Sequence, residues 1–509
     1  ALPTYNFDKA NVIVSFGADF LGNWLNADYA KQYVTARNPK NGTMAKHYQV
    51  ESSLSLTGSN ADDRTQIKPS EQAGLLSNLY SALSGGTADS RIAKMANDLA
   101  NNAGKSIVVC NSNDAQVQTL VNAINNKLGN YENTLSLSNP SYLKQGNDTD
   151  VATLISEMNA GNITALITNN VNPSYTLQNS TAYNTGLAKV ELTIATSLYN
   201  DESAAKMMYA CPDNHNLESW GDANPSNGVY TLIQPTISPL FNGRQFQESL
   251  MTWMGKSDYH TYLQNTYSSI DWNKSVHDGY FTQNQAAPTV SSFAAPVPSF
   301  SLAKADGIEF EMTEKISMGD GTQSNNPWLQ ELPDPLSRAC WDNYLTMSAS
   351  TARDLGIKNW NVSNGGLNGN MVTLTVNGTI FNNVPVMIQP GQAIGTVAMA
   401  VGYGRTAAGK CGNDIGFNAF ALGNGIATIE VVEGEYEFAA TQLHHTMMGR
   451  DIVKETTLED FIKNPNAGNK QVTYATHDGF KPASEVTLWD EFDHSTGHFW
   501  NMSIDLTSC

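Results

Sequence analysis

The chain has 509 residues, a net charge of −19 and 40% hydrophobic residues. A chain of this length is too long to fold around a single hydrophobic core, so two or three domains are expected. The negative charge argues against direct binding of nucleic acids or anionic lipids, and no apolar run is long enough to predict a membrane span. Charged residues make up only 15% of the chain, which leaves room for surfaces covered by other subunits.

Short apolar runs alternate with helical patterns through the first part of the chain. Such alternation predicts βαβ units and a parallel sheet, and hence an α/β fold over residues 1–285. The predicted strands are residues 11–16, 106–110, 163–168 and 190–196, and the predicted helices are residues 71–83, 91–100, 114–128 and 151–158.

Gly17 follows the first predicted strand directly. Glycine at such a position occurs in phosphate-binding loops, but the full Gly-x-Gly-x-x-Gly fingerprint is absent. A tight turn without a ligand is therefore the favoured interpretation, and a phosphate-binding loop is the alternative.

Residues 286–300 contain Pro288, Pro296 and Pro298 among Ala and Ser, a composition typical of a linker. The region beyond it, residues 301–450, is predicted to be rich in strands. Residues 371–376 alternate with a period of two, and Asn377-Gly378 is a strong type I′ hairpin signal. A short helix after Ser350 is predicted to end at Gly356. Small β-barrels are built from such elements.

The order of motifs in this second region resembles a known family. Pro327-Trp328-Leu329-Gln330-Glu331 is followed by the helix that ends at Gly356, the hairpin, a Pro390-Gly391 turn and Gly402-Tyr403-Gly404-Arg405. This series resembles the C-terminal double-psi β-barrel of the molybdopterin oxidoreductase superfamily. Residues 161–173 and 201–212 resemble further segments of that superfamily. The resemblance implies Rossmann-like parallel-sheet domains in residues 1–285 and a double-psi barrel in residues 301–450.

The chain departs from that family where a cofactor would bind. Members of that family carry an N-terminal cysteine cluster for an iron–sulfur centre, and a Cys, Ser or Asp ligand for the metal. No Cys precedes Cys110, so this chain has no thiol at either place. The family's Pro-Gly-Thr-Asp loop, which contacts the pterin nucleotide, is matched only by Lys68-Pro69-Ser70-Glu71. Loss of the glycine hinders close approach of the backbone to phosphates, and a glutamate adds negative charge there.

The resemblance therefore implies a vestigial cleft without catalytic residues and without molybdopterin. The residues placed near this cleft are Gly17, Lys68, Ser70, Glu71, Gly402 and Arg405. Arg405 and Arg450 each follow a glycine near a strand end, and we predict that both are structural, since a guanidinium can satisfy several carbonyls or one carboxylate.

Residues 439–453 and 499–509 resemble one branch of the superfamily, the iron–sulfur subunit of alternative complex III. The resemblance implies a scaffold for quinol oxidation, with residues 451–509 as a strap leading to a ferredoxin-like domain that holds iron–sulfur clusters. It also implies multi-haem cytochrome c and integral membrane quinol-binding subunits as partners, at the periplasmic face of the bacterial inner membrane. Cys509 would ligate a cluster if the chain continues.

Two alternatives remain open at this point. The first is an active molybdopterin-dependent oxidoreductase of the polysulfide or thiosulfate reductase type, whose metal ligand lies upstream of Ala1. The second is a periplasmic binding protein that holds a small ligand at the edge of its sheet.

Overall fold

The computed structural model describes residues 2–256, 258–286, 292–303, 306–362, 365–441, 447–450, 452–469, 471–489 and 492–503. Within these ranges the protein contains two parallel sheets, an antiparallel sheet and a closed barrel. Of the helices in the described part of the chain, none is long and apolar enough to cross a membrane.

The first parallel sheet is buried on both faces. Its strand order is β4-β3-β2-β5, and Val14 of β2 packs against α3 to α5, whereas Ile13 of the same strand packs against α1. Helices on both faces are the usual solution for a parallel sheet, and the strands β2 and β5 are accordingly buried at every position. The elements are β1 (Leu2–Tyr5), β2 (Val12–Phe16), α1 (Asp28–Ala36), β3 (Lys46–Glu51), α2 (Leu56–Ser59), β4 (Asp63–Gln66), α3 (Gln72–Leu83), α4 (Ala93–Asn101), β5 (Ser106–Cys110) and α5 (Ala115–Lys127).

The second parallel sheet is smaller and has the order β7-β8-β9. Strands β7 and β8 begin two residues after the predicted starts, which confirms the βαβ interpretation for them, whereas β9 was not predicted. The elements are β6 (Leu135–Ser141), α6 (Asp148–Ala160), β7 (Ala165–Asn169), α7 (Pro173–Thr176), α8 (Ser180–Leu187), β8 (Leu192–Ser197) and β9 (Tyr209–Pro212).

An antiparallel sheet that the sequence does not predict joins distant parts of the first region. Its order is β1-β6-β10-β11-β12, so the first strand of the chain pairs with β6. Leu232 of β11 and Phe281 of β12 pack with the helix α10. The added elements are β10 (Gly221–Ser226), β11 (Val229–Ile233), α9 (Phe246–Trp253), α10 (Tyr259–Thr266), α11 (Trp272–Asp278) and β12 (Tyr280–Thr282).

The predicted linker is irregular over its described residues, and it lies against the first unit. Val297 and Phe300 pack on the core of the first parallel sheet, and the amide of Phe300 donates to Ser77 Oγ at 2.8 Å. The segment therefore carries the chain along α3 toward the barrel.

The barrel is closed, as predicted. Strand β16 pairs with both β17 and β19, and the ring is completed in the order β17-β14-β18-β13-β19. Asn377 and Gly378 have φ angles of +49° and +81°, as the predicted hairpin turn requires. The elements are β13 (Ile308–Thr313), α12 (Pro327–Glu331), β14 (Leu345–Met347), α13 (Ala349–Asp354), β15 (Asn359–Asn361), β16 (Leu367–Val376), β17 (Thr379–Ile388), β18 (Thr396–Ala400) and β19 (Gly425–Phe438).

The described residues after the barrel are mostly exposed. They form α14 (Leu458–Lys463), β20 (Thr473–Thr476) and β21 (Gly479–Pro482), with α14 touching residues 39–41 of the first unit. Trp489 and Trp500 are 83% and 93% exposed. Cys509 and the end of its predicted strand lie outside the described residues.

Candidate functional site

Arg405 connects the barrel to the second parallel-sheet unit. Its Nε and Nη2 atoms donate to the carboxylate of Glu202 at 2.8–3.1 Å, and its Nη1 donates to the carbonyl of Gly321 at 2.6 Å. The carboxylate of Glu202 also accepts the amides of Thr406 and Ala407. Arg405 and Glu202 are only 5% and 8% exposed, so they form a buried, bidentate ion pair.

The electrostatics of Glu202 reflect these donors. Burial by itself raises the pKa of Glu202, but the Arg405 guanidinium, the Asn172 amide and the two backbone amides outweigh burial and lower it to about 2. The ring of Tyr175 lies under the guanidinium at 4.7 Å, and its hydroxyl donates to the carbonyl of Tyr403 at 2.7 Å. Arg405 is therefore fixed from three sides by structural partners.

A small cavity of 180 Å³ lies beside Arg405. Polar side chains from the loop before α12 form much of its wall, together with Tyr199 from the second unit. Cofactor and ligand sites usually measure about 300–1,000 Å³. This cavity has room for a few water molecules or a small polar molecule.

Position 402 requires a glycine, because two loops pack closely against each other there. Gly402 has a φ angle of +94°, and a Cβ atom there would lie 2.7 Å from the carbonyl oxygen of Gly319. The adjoining loop is equally tight, since a Cβ atom at Gly321 would lie 2.8 Å from the carbonyl oxygen of Gly402. The glycine therefore serves the packing of one loop against another.

The loop Lys68–Glu71 lies against the barrel strand β13. The amide and hydroxyl of Ser70 donate to the carboxylate of Glu309 at 2.9 and 2.7 Å, and Lys68 Nζ donates to the carbonyl of Gly307 at 3.1 Å. Glu71 pairs with Arg91 at 2.9 Å. The donors of this loop thus hold a protein carboxylate that is 5% exposed.

Further carboxylates surround this contact. The hydroxyl of Ser52 donates to Glu311, and Glu51 pairs with Arg64 at 2.6 Å. Burial raises the pKa of Glu311 to about 7; the Ser52 hydrogen bond opposes the rise, and the carboxylates of Glu51 and Glu309 add to it. The junction with the first unit therefore contains a carboxyl group whose pKa is raised to about 7.

The barrel turn at Gly391 reaches the same junction. Arg64 Nη1 donates to the carbonyl of Gly391 at 2.5 Å, and Gln66 donates to the same oxygen at 2.9 Å. The amide of Ala393 donates to the carbonyl of Ser52 at 2.8 Å. The Pro-Gly turn that the sequence singled out is thus a docking element of the barrel.

Gly17 lies at the carboxyl end of β2, as predicted. Its φ angle is +70°, and a Cβ atom there would lie 2.7 Å from the side chain of Asn111. Gln72 donates to the Asn111 carbonyl oxygen at 2.9 Å, so two side chains fill the space next to the glycine.

The predicted cleft residues thus divide into three local groups. Lys68, Ser70 and Glu71 meet β13, Gly402 and Arg405 meet the loop at Gly321, and Gly17 meets Asn111. The sequence analysis did not identify Glu202, which binds Arg405, or Glu309, which binds Ser70. Glu202 stands in the segment that matches the superfamily, which was the available signal for it.

Arg450 differs from Arg405. It is exposed and donates to the carbonyl of Met447 at 3.3 Å. Among the described residues, the structural role predicted for Arg450 is limited to this contact within a surface turn.

A larger open groove of 530 Å³ lies on the barrel next to Tyr436 and Asp342. The Tyr436 hydroxyl donates to the Asp342 carboxylate. Burial raises the pKa of Asp342 to about 6, although Lys315 opposes the rise.

Across the described residues, no group of three or more His, Cys, Asp or Glu side chains is arranged to hold a metal ion.

Comparison with known proteins supports the predicted α/β fold class with a β-barrel. No family model matches the chain. The menaquinone reductase, molybdopterin-binding-like subunit of Nitratidesulfovibrio vulgaris (strain Hildenborough) is 25% identical over 277 residues, which are 51% of this chain and 37% of that protein. The structure of acetylene hydratase from Pelobacter acetylenicus matches with a TM-score of 0.61 and 12% identity, over 84% of this chain and 79% of that chain.

These similarities confirm the predicted fold class at a coarse level. The chain has parallel sheets and a β-barrel arranged as in acetylene hydratase, and its sequence is weakly similar to a molybdopterin-binding-like subunit. At 12% identity the structural match concerns the fold alone. The double-psi strand arrangement and the assignment to alternative complex III stay predictions.

Proposed function

We propose that this chain is a non-catalytic scaffold subunit of a quinone-oxidoreductase complex. It has the fold of the molybdopterin oxidoreductases, with a double-psi barrel, but does not bind their pterin cofactor. The sequence similarity to a menaquinone reductase subunit supports the kind of complex. The geometry of the former cofactor loop supports the loss of the cofactor.

The contact between Ser70 and Glu309 is the observation that carries the proposal. In the superfamily this loop would offer its donors to the phosphates of the pterin nucleotide. Here the amide and hydroxyl of Ser70 both bind the carboxylate of Glu309. A carboxylate occupies the place of an anionic group and repels a second one, so the loop does not fit a nucleotide phosphate.

The region around Arg405 does not fit the cofactor either. The Nε, Nη1 and Nη2 atoms of the guanidinium bind Glu202 and the Gly321 carbonyl, and the cavity beside it measures 180 Å³. A pterin nucleotide is at least the size of a drug-like ligand, for which sites of about 300–1,000 Å³ are usual. Both places thus serve the attachment of the barrel.

The finer form of the proposal is the iron–sulfur subunit of alternative complex III. It would pass electrons from quinol toward periplasmic carriers through clusters beyond this segment, with Cys509 as a first ligand. Its partners would be a multi-haem cytochrome c and integral membrane subunits that bind quinol and hold the chain at the periplasmic face of the membrane. The resemblance of residues 439–453 and 499–509 supports this form.

Metal and pterin analysis of the intact complex tests the loss of the cofactor. The complex is purified through a tag on this chain, and molybdenum, tungsten and oxidised pterin are measured per chain. We expect all three to fall far below one equivalent. One equivalent of metal and pterin would instead establish the active molybdopterin-dependent oxidoreductase.

The same preparation tests the scaffold role. We expect partner subunits to copurify with this chain and the preparation to carry quinone-linked electron transfer. A chain that purifies alone, and whose melting temperature rises with a small ligand, would be a binding protein instead. For the finer form, Cys509→Ala should alter the iron–sulfur EPR signals of the complex; unaltered signals would remove the electron-carrier role.

A further inference from the structure

In the part of the chain that the structure describes, the second parallel sheet is covered by helices on one face only. On that face, Leu166 and Ala195 pack against Met158 of α6 and against Tyr183 and Leu187 of α8. These three helix residues are each at most 4% exposed. This side of the sheet is therefore an ordinary helix-covered layer.

The other face is open to solvent except at Thr196, which aligns with Cys211 and is 2% exposed. Ile167, Leu192 and Tyr209 are 44%, 38% and 53% exposed, although large apolar side chains in a parallel sheet are normally buried. The strand register aligns Ala165 with Leu192, and Ile167 with Ile194 and Tyr209, so these side chains share one surface. We call the open face the surface formed by Ala165, Ile167, Leu192, Ile194, Tyr209 and Cys211.

The first parallel sheet shows what the open face lacks. There β2 and β5 are buried at every position, because α1 covers one face and α3 to α5 cover the other. Both sheets consist of parallel strands, so the apolar side chains on both faces of each sheet need to be covered. The second sheet is missing one layer.

The composition of the surface indicates the character of its cover. The open face has no charged residue, although the chain carries a net charge of −19. The neighbouring segment 233–243 is also free of charged residues, presents Leu240 and Phe241 at 70% and 84% exposure, and leads into Arg244, whose amide donates to the Pro212 carbonyl of β9. Charge depletion with exposed aromatic and aliphatic side chains is typical of the centre of a protein interface.

The geometry fits a helix. Three strands at the usual spacing of about 4.8 Å are about 10 Å wide, which matches the diameter of one α-helix with its side chains, about 10–12 Å. The last helix of the described chain, α14, lies against residues 39–41 of the first unit and so does not provide this cover.

We propose that the open face binds one amphipathic helix of a partner subunit, which inserts an uncharged aliphatic stripe between β7 and β9 and completes the missing layer. The inference rests on the proposed function, because it requires that the chain is a subunit of a complex. Loss of the helix would leave the open face as a hydrophobic patch that promotes aggregation.

Cys211 provides a direct test, since it is exposed and lies on the open face. The alkylation rate of Cys211 by a maleimide is measured by peptide mass spectrometry in the intact complex and in the chain expressed alone, with Cys411 of the barrel region as internal reference. We expect at least tenfold slower alkylation of Cys211 in the complex and a much smaller change at Cys411. Equal rates at Cys211 in the two samples would overturn the inference.

A pair of variants tests the contact itself. Ile167→Glu places a charge on the open face, whereas Ile380→Glu places one on β17 of the barrel at a residue that is 58% exposed. Both side chains are exposed, so we expect both variants to keep the melting temperature of the isolated chain. Ile167→Glu should lose the partner from the purified complex at least tenfold, while Ile380→Glu keeps it.

A photo-crosslinker at Ile167 identifies what covers the face. We expect a crosslink to a partner peptide with apolar residues at i, i+3, i+4 and i+7. A crosslink to a second copy of this chain, or partner retention by Ile167→Glu, would overturn the inference while leaving the proposed function intact. Purification of the wild-type chain without any partner would instead refute the proposed function.

Discussion

The barrel is attached to the two parallel-sheet units by junctions of opposite electrostatic character. At the second unit, Arg405 and Glu202 form a buried pair in which each charge is compensated. At the first unit, the carboxylate of Glu309 accepts hydrogen bonds from Ser70 and that of Glu311 accepts one from Ser52, while Arg64 pairs with Glu51. The junction with the second unit therefore depends on the charged partner of Glu202, whereas the junction with the first unit depends on whether Glu311 is protonated.

The difference has a physical basis. A buried ion pair tolerates changes of pH because both partners stay charged, but it fails when one partner is removed. A buried group of carboxylates loses stability when it ionises, because desolvation and mutual repulsion both oppose the charged form.

Removal of Arg405 should have the largest effect. Arg405→Ala leaves the Glu202 carboxylate buried without a counter-charge, and we expect the free energy of unfolding to fall by about 3–5 kcal/mol. Urea denaturation followed by fluorescence measures the change. Arg450→Ala is the control, since that side chain is exposed and should change the free energy by less than about 0.5 kcal/mol.

A double variant sharpens this test. Glu202→Leu together with Arg405→Met removes both charges, so we expect it to recover part of the stability lost in Arg405→Ala. A loss below about 1 kcal/mol in Arg405→Ala would contradict the importance assigned to this junction.

Stability should depend on pH through Glu311. Its pKa rises from 4.5 to about 7 in the folded protein, so between these values the unfolded chain releases a proton that the folded chain retains. Stability contributed by this group is therefore complete below 4.5 and is lost as the pH rises to about 7, by about 3 kcal/mol.

Glu311→Gln isolates that dependence. The amide cannot ionise, so the variant should lose this part of the decline in stability with pH and should exceed the wild type at about pH 8. Urea denaturation over the same pH range measures both proteins. A decline that is the same in wild type and variant would assign the pH dependence to other groups.

The contact between Ser70 and Glu309 should contribute less. Ser70→Ala removes one hydrogen bond to a carboxylate but leaves the backbone amide as a donor, and we expect a loss of about 2 kcal/mol. Hydrogen exchange should quicken at the start of α3, next to the loop. Ser90→Ala, at an exposed position, serves as the matched control and should leave both quantities unchanged.

Tyr175 should show the smallest of these effects. Tyr175→Phe removes the hydrogen bond to the Tyr403 carbonyl but retains the ring under Arg405, so we expect a loss of about 1 kcal/mol. Thermal unfolding measures it, with Tyr262→Phe at a 42% exposed position as control. A loss as large as that of Arg405→Ala would mean that the hydroxyl positions the whole ion pair.

Strand β3 shows where sequence reasoning about the fold stopped. Its sequence, Lys-His-Tyr-Gln-Val-Glu, alternates polar and apolar residues, and it was not among the predicted strands. In the structure His47 and Gln49 are fully buried, with His47 bonded to the Tyr33 hydroxyl at 3.1 Å and Gln49 donating to Glu51 at 2.9 Å. Polar residues become interior only where the fold supplies partners.

The local elements of this protein follow from short stretches of its sequence. The apolar runs of β2, β5, β7 and β8, the Asn377-Gly378 turn and the termination of α13 two residues before Gly356 follow from short-range sterics and hydrophobic periodicity. The family resemblance added the order of sheet and barrel. Only the tertiary structure decided that Ser70 meets Glu309, 239 residues away, and that Arg405 meets Glu202, 203 residues away. The reason is that the partner of a buried polar group is chosen by which distant segments pack together, and local sequence carries no record of that choice.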